Sequence, residues 1–375
     1  MNPSELPVNL DKPESLKLEK LNSTSPSSFN QMKTCNLRIA FANDTQYKNA
    51  KKVALIPILG TVSHAMIEEV FLGKFDGCEN VDILLRNRWD ELISEEVTKF
   101  PSTLLKAPPK PTRWPYYNKR RLEAFSKCLS LIDQKGSEVT KEEGQLGEVE
   151  PWYSSHDGLL RGRIDRVLSG FDGDITLIDY KTGQIKGDAN CSNDLNPNYL
   201  HQMQIYAFMY HETNGVWPSN LIIESVEGES VTIQVVEKDC EETANDAVEL
   251  LLQYNESVQG GSIEASPGID ACRWCDYKGV CDDFFATATP EWDMFRFHLK
   301  GILAKVISTP REVVLEIDNR KGNVSYGKVR VQGLPLAVME AFSVGDEISM
   351  TDLKSIKRAD DNSFMFEWDS QVWIW

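Results

Sequence analysis

Gly162-Arg-Ile-Asp165-Arg-Val, followed by Ile178-Asp179-Tyr180-Lys181-Thr-Gly, puts two carboxylates and a lysine on what the pattern predicts to be neighbouring strands. From Gly147 onward the apolar period is two. Residues 158–168 and 174–181 read as strands joined through Ser169-Gly170-Phe171-Asp172-Gly173, a hairpin signal. Asp179 and Lys181 are two apart on one strand and share a face. Asp165 joins that face only if the pairing parity is even. A two-residue Asp172-Gly173 turn gives the wrong parity. A three-residue loop, Phe171 to Gly173 with Gly173 at positive φ, gives the right one, and a bulge could also repair it.

Such a set suits phosphodiester hydrolysis. Carboxylate oxygens hold Mg²⁺ or Mn²⁺, the cation polarises the phosphoryl oxygen and acidifies a water, and an adjacent lysine orients that water. The plainer alternative is a solvated strand face carrying cross-strand charge pairs.

Working outward, helical periodicity marks 61–71, 83–100, about 117–133, 198–212 and 241–257, with strands near 220–225 and 231–236. Two further motifs lie on these helices, Leu59-Gly60-Thr61-Val62-Ser63-His64-Ala65 and Gln202-Met-Gln-Ile-Tyr206. Gln202 and Tyr206 are four apart and project together.

In this order, the motifs resemble the PD-(D/E)XK nuclease superfamily, in its RecB-like branch. The resemblance implies an α/β, restriction-endonuclease-like core with helical insertions, over residues 29–288. It implies that His64, Asp165 and Asp179 bind Mg²⁺ or Mn²⁺, that Lys181 acts on the attacking water, and that Gln202 and Tyr206 position the lysine, the substrate phosphate or both. The carbonyl of Tyr180 is a further candidate ligand. Glu148 and Glu150 precede the hairpin and are weaker candidates. Ile164 stands where the family name implies proline, and Asp179 replaces the more frequent glutamate, one methylene longer.

Eight cysteines occupy positions 35, 78, 128, 191, 240, 272, 275 and 281. Cys272-Arg-Trp-Cys275-Asp-Tyr-Lys-Gly-Val-Cys281 reads as metal or cofactor ligation, and three thiolates need a fourth ligand. Cys35 is the candidate. One distant cysteine with a C-terminal trio resembles the iron–sulfur nucleases of the CRISPR adaptation and AddB types, although Asn36 follows Cys35 where proline is usual. That resemblance implies a structural [4Fe–4S] cluster on Cys35, Cys272, Cys275 and Cys281, with Zn²⁺ as the competitor. Cys78, Cys128, Cys191 and Cys240 read as plain thiols.

The chain has 375 residues, is 41% hydrophobic and 26% charged, and carries a net charge of −17. Global disorder is excluded, and no apolar run approaches the ~20 residues of a membrane span. Residues 1–28 are polar and lack a secretory pattern, so they read as a flexible arm and the expected setting is the cytoplasm. The acidic total argues against general nucleic-acid coating but not against a local basic groove. Lys106 to Arg121 offers one. Lys106, Lys110, Arg113, Lys119, Arg120 and Arg121 interleave with Trp114, Tyr116 and Tyr117, to neutralise phosphates and stack bases. The alternative is a proline-rich connector leading into a basic helix face.

Beyond Pro290, short β-rich runs at 299–307, 312–317, 325–331, 347–350 and 364–368, with an apolar stretch at 336–342, predict a small OB-like barrel over 289–375. Lys328, Arg330, Lys354, Lys357 and Arg358 are candidate DNA contacts there. Phe364, Phe366, Trp368, Trp373 and Trp375 are better read as core. The expected function is a metal-dependent DNA nuclease, exonuclease or end-trimming and single-strand-capable by resemblance. An idle nucleic-acid-binding scaffold and an RNA-processing nuclease are the alternatives.

Overall fold

The computed structural model describes residues 10–101, 104–138, 146–170, 172–183, 185, 195–325, 327–356 and 362–375. Cys191, Phe171, Lys357 and Arg358 lie outside them. The helices α1 (Pro26–Thr34), α2 (Asn36–Asn43), α3 (Leu55–Phe71), α4 (Val81–Thr98) and α5 (Tyr117–Glu138) come first. Then come β1 (Leu146–Val149), β2 (Trp152–Ser154), β3 (Arg161–Arg163), β4 (Arg166–Ser169), β5 (Ile175–Lys181), α6 (Pro197–Asn214), β6 (Asn220–Ser225), β7 (Ser230–Gln234) and α7 (Glu237–Gln259). The short helices α8 (Ile269–Arg273) and α9 (Asp282–Thr287) close this part of the chain.

One mixed sheet organises these elements, in the order β1-β4-β5-β6-β7. Only β5 and β6 run parallel, and α6 is the crossover between them. Side chains alternate along β5. Ile178 and Tyr180 enter a core with α3, α4 and α5, whereas Leu177 enters a second core with α6 and α7. Buried residues of α3 at Leu59, Val62, Met66 and Val70, and of α7 at Cys240, Ala244, Ala247, Leu251 and Tyr254, follow helical steps of three and four. Asn196 caps α6 by accepting from the Asn198 N–H, Pro197 opens it, and Gly215 at φ +74° ends it.

The expected strand 158–168 is broken. β3 pairs with β2 in a separate ribbon, and β4 begins only at Arg166. Between them the Ile164 N–H donates to Pro151 O and Asp165 O accepts from the Glu150 N–H, with Glu150 at φ +50°. The β4–β5 register pairs Arg166 with Ile178 and Ser169 with Ile175. The Gly170 N–H donates to Asp174 O and Gly173 has φ +82°, which is the parity the three-residue loop required. Extending that register one step sets Asp165 beside Asp179.

The C-terminal part is a closed five-stranded barrel of OB-like plan. β8 (Phe297–Ser308) pairs with β9 (Val313–Gly322), and β9 with β10 (Gly327–Leu334). β11 (Glu347–Ser355) pairs with β8, and β12 (Ser363–Met365) closes the barrel between β10, in parallel, and β11. A 3-10 turn over Leu336–Ala341 sits between β10 and β11. A further strand absent from the sequence reading, β13 (Gln371–Ile374), pairs with β11. Leu299, Leu315, Ile317, Val331, Met350 and Phe366 are fully buried in the barrel, Phe364 is buried beside them, and Trp373 is buried against Tyr277 and Val280 instead.

Residues 10–28 do not form the flexible arm that their composition suggests. Leu10 is buried in the barrel core. The Lys12 N–H donates to Ile374 O and the Ile374 N–H to Leu10 O, both at 2.8 Å. Further on, the Leu21 N–H donates to Asn255 Oδ1, the Thr24 N–H to Leu159 O, and Ser25 caps α1. The segment is a strap from barrel to sheet. Many of its polar side chains face water while its backbone groups find partners, and composition reports only the side chains. No helix among the described residues is long and apolar enough to cross a membrane.

Candidate active site

The site lies where β5 ends and β4 begins. Asp179 is almost fully buried on the α6 side of β5, with Lys181 two residues on. Lys181 Nζ lies 2.6 Å from Asp179 Oδ2 and donates to Gln202 Oε1 at 2.8 Å. Gln202 Nε2 donates to Asp179 Oδ1 at 3.0 Å and to the Tyr206 hydroxyl at 3.1 Å. One amide therefore binds lysine, aspartate and tyrosine together, and this pattern sets which end of it is oxygen. Burial, with the Asp179 charge adding to it, pushes the Tyr206 phenol far above its ordinary value.

Asp165 approaches from the other strand. Its Oδ2 accepts from the Tyr180 N–H at 2.7 Å and lies 3.5 Å from His64 Nδ1. Burial and then the Asp179 charge push the Asp165 carboxyl up to about 8, against the opposing pull of the Tyr180 N–H and Lys181. His64 is pushed below its ordinary value, chiefly by burial, with Asp179 opposing. Its imidazole is neutral near pH 7 and able to ligate.

Two glycines permit this convergence. A Cβ on Gly60 would stand 2.9 Å from Thr182 Oγ1, so glycine lets α3, which carries His64, approach the end of β5. A Cβ on Gly162 would meet Tyr206 Cε1 and Met209 Cε at 3.0 Å, so glycine lets α6 close over β3.

Beside the carboxylates is a hollow of about 210 Å³ lined by His64, Glu68, Glu150, Asp165 and the buried Tyr180, among others. Glu68 escaped the sequence reading, although it sits one helical turn after His64, a spacing that could have flagged it. Glu150 reaches this hollow and pairs with Arg163. Burial and then the Glu68 charge raise its carboxyl. Glu148 instead accepts from the Tyr153 hydroxyl at 3.3 Å.

The donor set suits a hard divalent cation. The carboxyls of Asp165 and Glu150, both raised, would be relieved by positive charge, and Asp179 Oδ2 has a close ammonium but no well-aimed hydrogen bond. Among the described residues no three His, Cys, Asp or Glu side chains already surround one point as a bound ion requires. Lys181 and Gln202 occupy the Asp179 oxygens, so loading requires side-chain rotation.

Cys35, Cys272, Cys275 and Cys281 line one hollow of about 370 Å³. Cys35 joins α1 to α2, and Cys281 caps α9 by accepting from the Phe284 N–H at 3.4 Å. Burial raises the Cys272 thiol, pushes Cys275 up to about 11 and raises Cys281 further. Cys128 and Cys240 are buried single thiols, and Cys78 is exposed.

The basic stretch is placed differently from its sequence reading. Trp114 is buried, donates through Nε1 to Pro109 O and stacks on Phe100, so it belongs to the core and offers bases no surface. Lys119 and Arg120 pair with Glu123 and Glu227, and Arg121 with Asp90. Lys106 donates to Phe366 O. Arg113 and Tyr116 are exposed. In the barrel, Lys328 and Arg330 are exposed, while Lys354 pairs with Glu367.

A mixed sheet that gathers two aspartates, a lysine and a histidine at one strand end defines a nuclease of the carboxylate-and-lysine type. Comparison with protein families matches residues 23–282 to the PD-(D/E)XK nuclease superfamily, and the chain belongs to it. No curated protein matches the chain. Among solved structures, the crystal structure of SSO0001 is 18% identical, with a TM-score of 0.24, covering 54% of this chain and 96% of that one. A candidate exonuclease from Eubacterium rectale is 12% identical, with a TM-score of 0.36, covering 68% and 86%.

Proposed function

We propose that this chain is a Mg²⁺- or Mn²⁺-dependent deoxyribonuclease of the RecB-like branch, trimming DNA from ends or single strands, in repair, recombination or defence. The observation that carries the proposal is the Gln202 bridge, which locks Lys181 against Asp179 within reach of Asp165 and His64. His64, Asp165 and Asp179 are the cation ligands, and Glu68 and Glu150 can add carboxylates from the adjoining hollow. A bound cation supplies charge at the scissile phosphate and lowers the pKa of a neighbouring water. Lys181 orients the attacking water and stabilises the charge that develops on the phosphate. Gln202 and Tyr206 hold that lysine in place, and the Tyr180 N–H aims Asp165.

The second cofactor is a [4Fe–4S] cluster on Cys35, Cys272, Cys275 and Cys281. One hollow shared by all four thiols supports it.

The test is cleavage of labelled single- and double-stranded DNA and of RNA with Mn²⁺, comparing wild type with Lys181→Ala. Cation-dependent DNA cleavage that falls by about 10²-fold or more in the variant is expected, the scale on which loss of one charge-stabilising group acts. Binding without cleavage by either protein would mean a scaffold, and RNA-only cleavage a processing enzyme.

A further inference from the structure

An open groove of about 2620 Å³ runs between the start of α3, the cysteine segment and the barrel. Its charge runs against that of the whole chain. Among the described residues, eight lysines and arginines line it with four aspartates and glutamates, in a protein of net charge −17. Several of these cations are paired, as Lys52 is with Asp352 and Arg38 with Asp276, but the excess remains positive. Lys48 is exposed and has no carboxylate partner among the described residues. Arg273 Nε is buried without an acceptor.

On the same wall stand two large aromatics that the core does not use. Trp274 is 67% and Phe295 71% exposed, their ring centroids are 5.4 Å apart, and the Arg273 guanidinium lies 5.3 Å from the Phe295 centroid. Exposed rings in a positive groove attract unpaired bases, because every base has a stacking face and a paired one keeps it inside the duplex. The start of α3, the helix that carries His64, forms part of its wall. Thr61 lines it, and His64 is one turn further along α3.

We infer that this groove binds a single-stranded polynucleotide, with Trp274 and Phe295 as its stacking platform and the surrounding cations on its phosphates, and that it delivers the strand to the aspartate–lysine site. The delivery rests on the nuclease reading above, whereas binding in the groove can be measured without it. Cys275 lines both this groove and the cysteine hollow, so whatever braces the cysteines also braces the platform.

The experiment is fluorescence anisotropy with labelled oligothymidylate, oligouridylate and a blunt duplex, without divalent cation, on the full-length protein. Trp274→Ala/Phe295→Ala should raise Kd for single strands about tenfold or more and leave duplex binding little changed. Lys48→Glu, on an exposed side chain, should weaken binding and flatten the salt dependence by about one unit of slope. Undiminished single-strand binding by both the aromatic and the Lys48 variants would overturn the groove, whatever the cleavage result. Retained cleavage by Lys181→Ala would overturn the catalytic reading and leave the groove standing. The thymidylate and uridylate arms decide which polymer it prefers.

Discussion

The Asp165–Asp179 pair carries a cost that a cation would remove. Burial, and then the Asp179 carboxylate beside it, push the Asp165 carboxyl up from 3.8 to about 8. The fold therefore holds a proton that the unfolded chain releases above about pH 4. The stability this contributes is full below that pH and is lost as the pH rises through about 8. In metal-free buffer, wild type should melt at progressively lower temperature between pH 5 and about 8, and Asp165→Asn should flatten that decline and melt several degrees higher at the alkaline end. Saturating Mn²⁺ should raise the wild-type melting temperature by mass action and leave the variant nearly unmoved. Parallel pH curves for the two proteins would refute the assignment. At this scale the sequence was informative, since Asp179, Lys181, Gln202 and Tyr206 form one bonded set and His64 lies beside Asp165. It misled at Trp114, because an aromatic among cations reads the same whether it stacks on bases or fills a core.

At the scale of elements, the site depends on how closely α3 lies against the end of β5. Gly60 permits that approach, with Thr182 Oγ1 as the atom a Cβ would strike. Gly60→Val should push the helix outward and cost about 1–3 kcal/mol, the usual range for overpacking. It should also weaken Mn²⁺ binding, because His64 rides on the same helix. Adding Thr182→Ala should recover part of both losses, and a double-mutant cycle in melting temperature and cation affinity measures the coupling. Additive effects would show that the two residues do not meet. The parity of the β4–β5 hairpin was open in the sequence and turned on Gly173 at φ +82°. The break between β3 and β4 could not be read, because it comes from hydrogen bonds that Ile164 and Asp165 make with Pro151 and Glu150 rather than from any breaker residue.

Across the whole molecule, Cys35 and Cys272, 237 positions apart, line one hollow, and a cluster bound there would tie the two ends together. Closing so long a loop restricts the unfolded chain. Cys272→Ser should abolish a broad visible absorbance and lower the melting temperature, with hydrogen exchange rising around both α1–α2 and α8–α9. A colourless wild-type protein containing zinc would replace the cluster with a single ion. The strap works across the same distance, with Leu10 in the barrel core and Leu21 bonded to Asn255 of α7.

By itself the sequence determined the chemistry and the local periods. It shows which residues carry charge, which alternate along strands and which recur along helices, because these are properties of neighbours in the chain. The tertiary structure alone decided what meets across long separations. It paired the cations of 119–121 with Glu123, Glu227 and Asp90, tied the polar N-terminal segment to the barrel, brought Glu68 beside Glu150, and opened the groove with Trp274 and Phe295 on its wall. Burial and pairing are set by the surface that packs opposite, and that surface comes from parts of the chain that no local pattern connects.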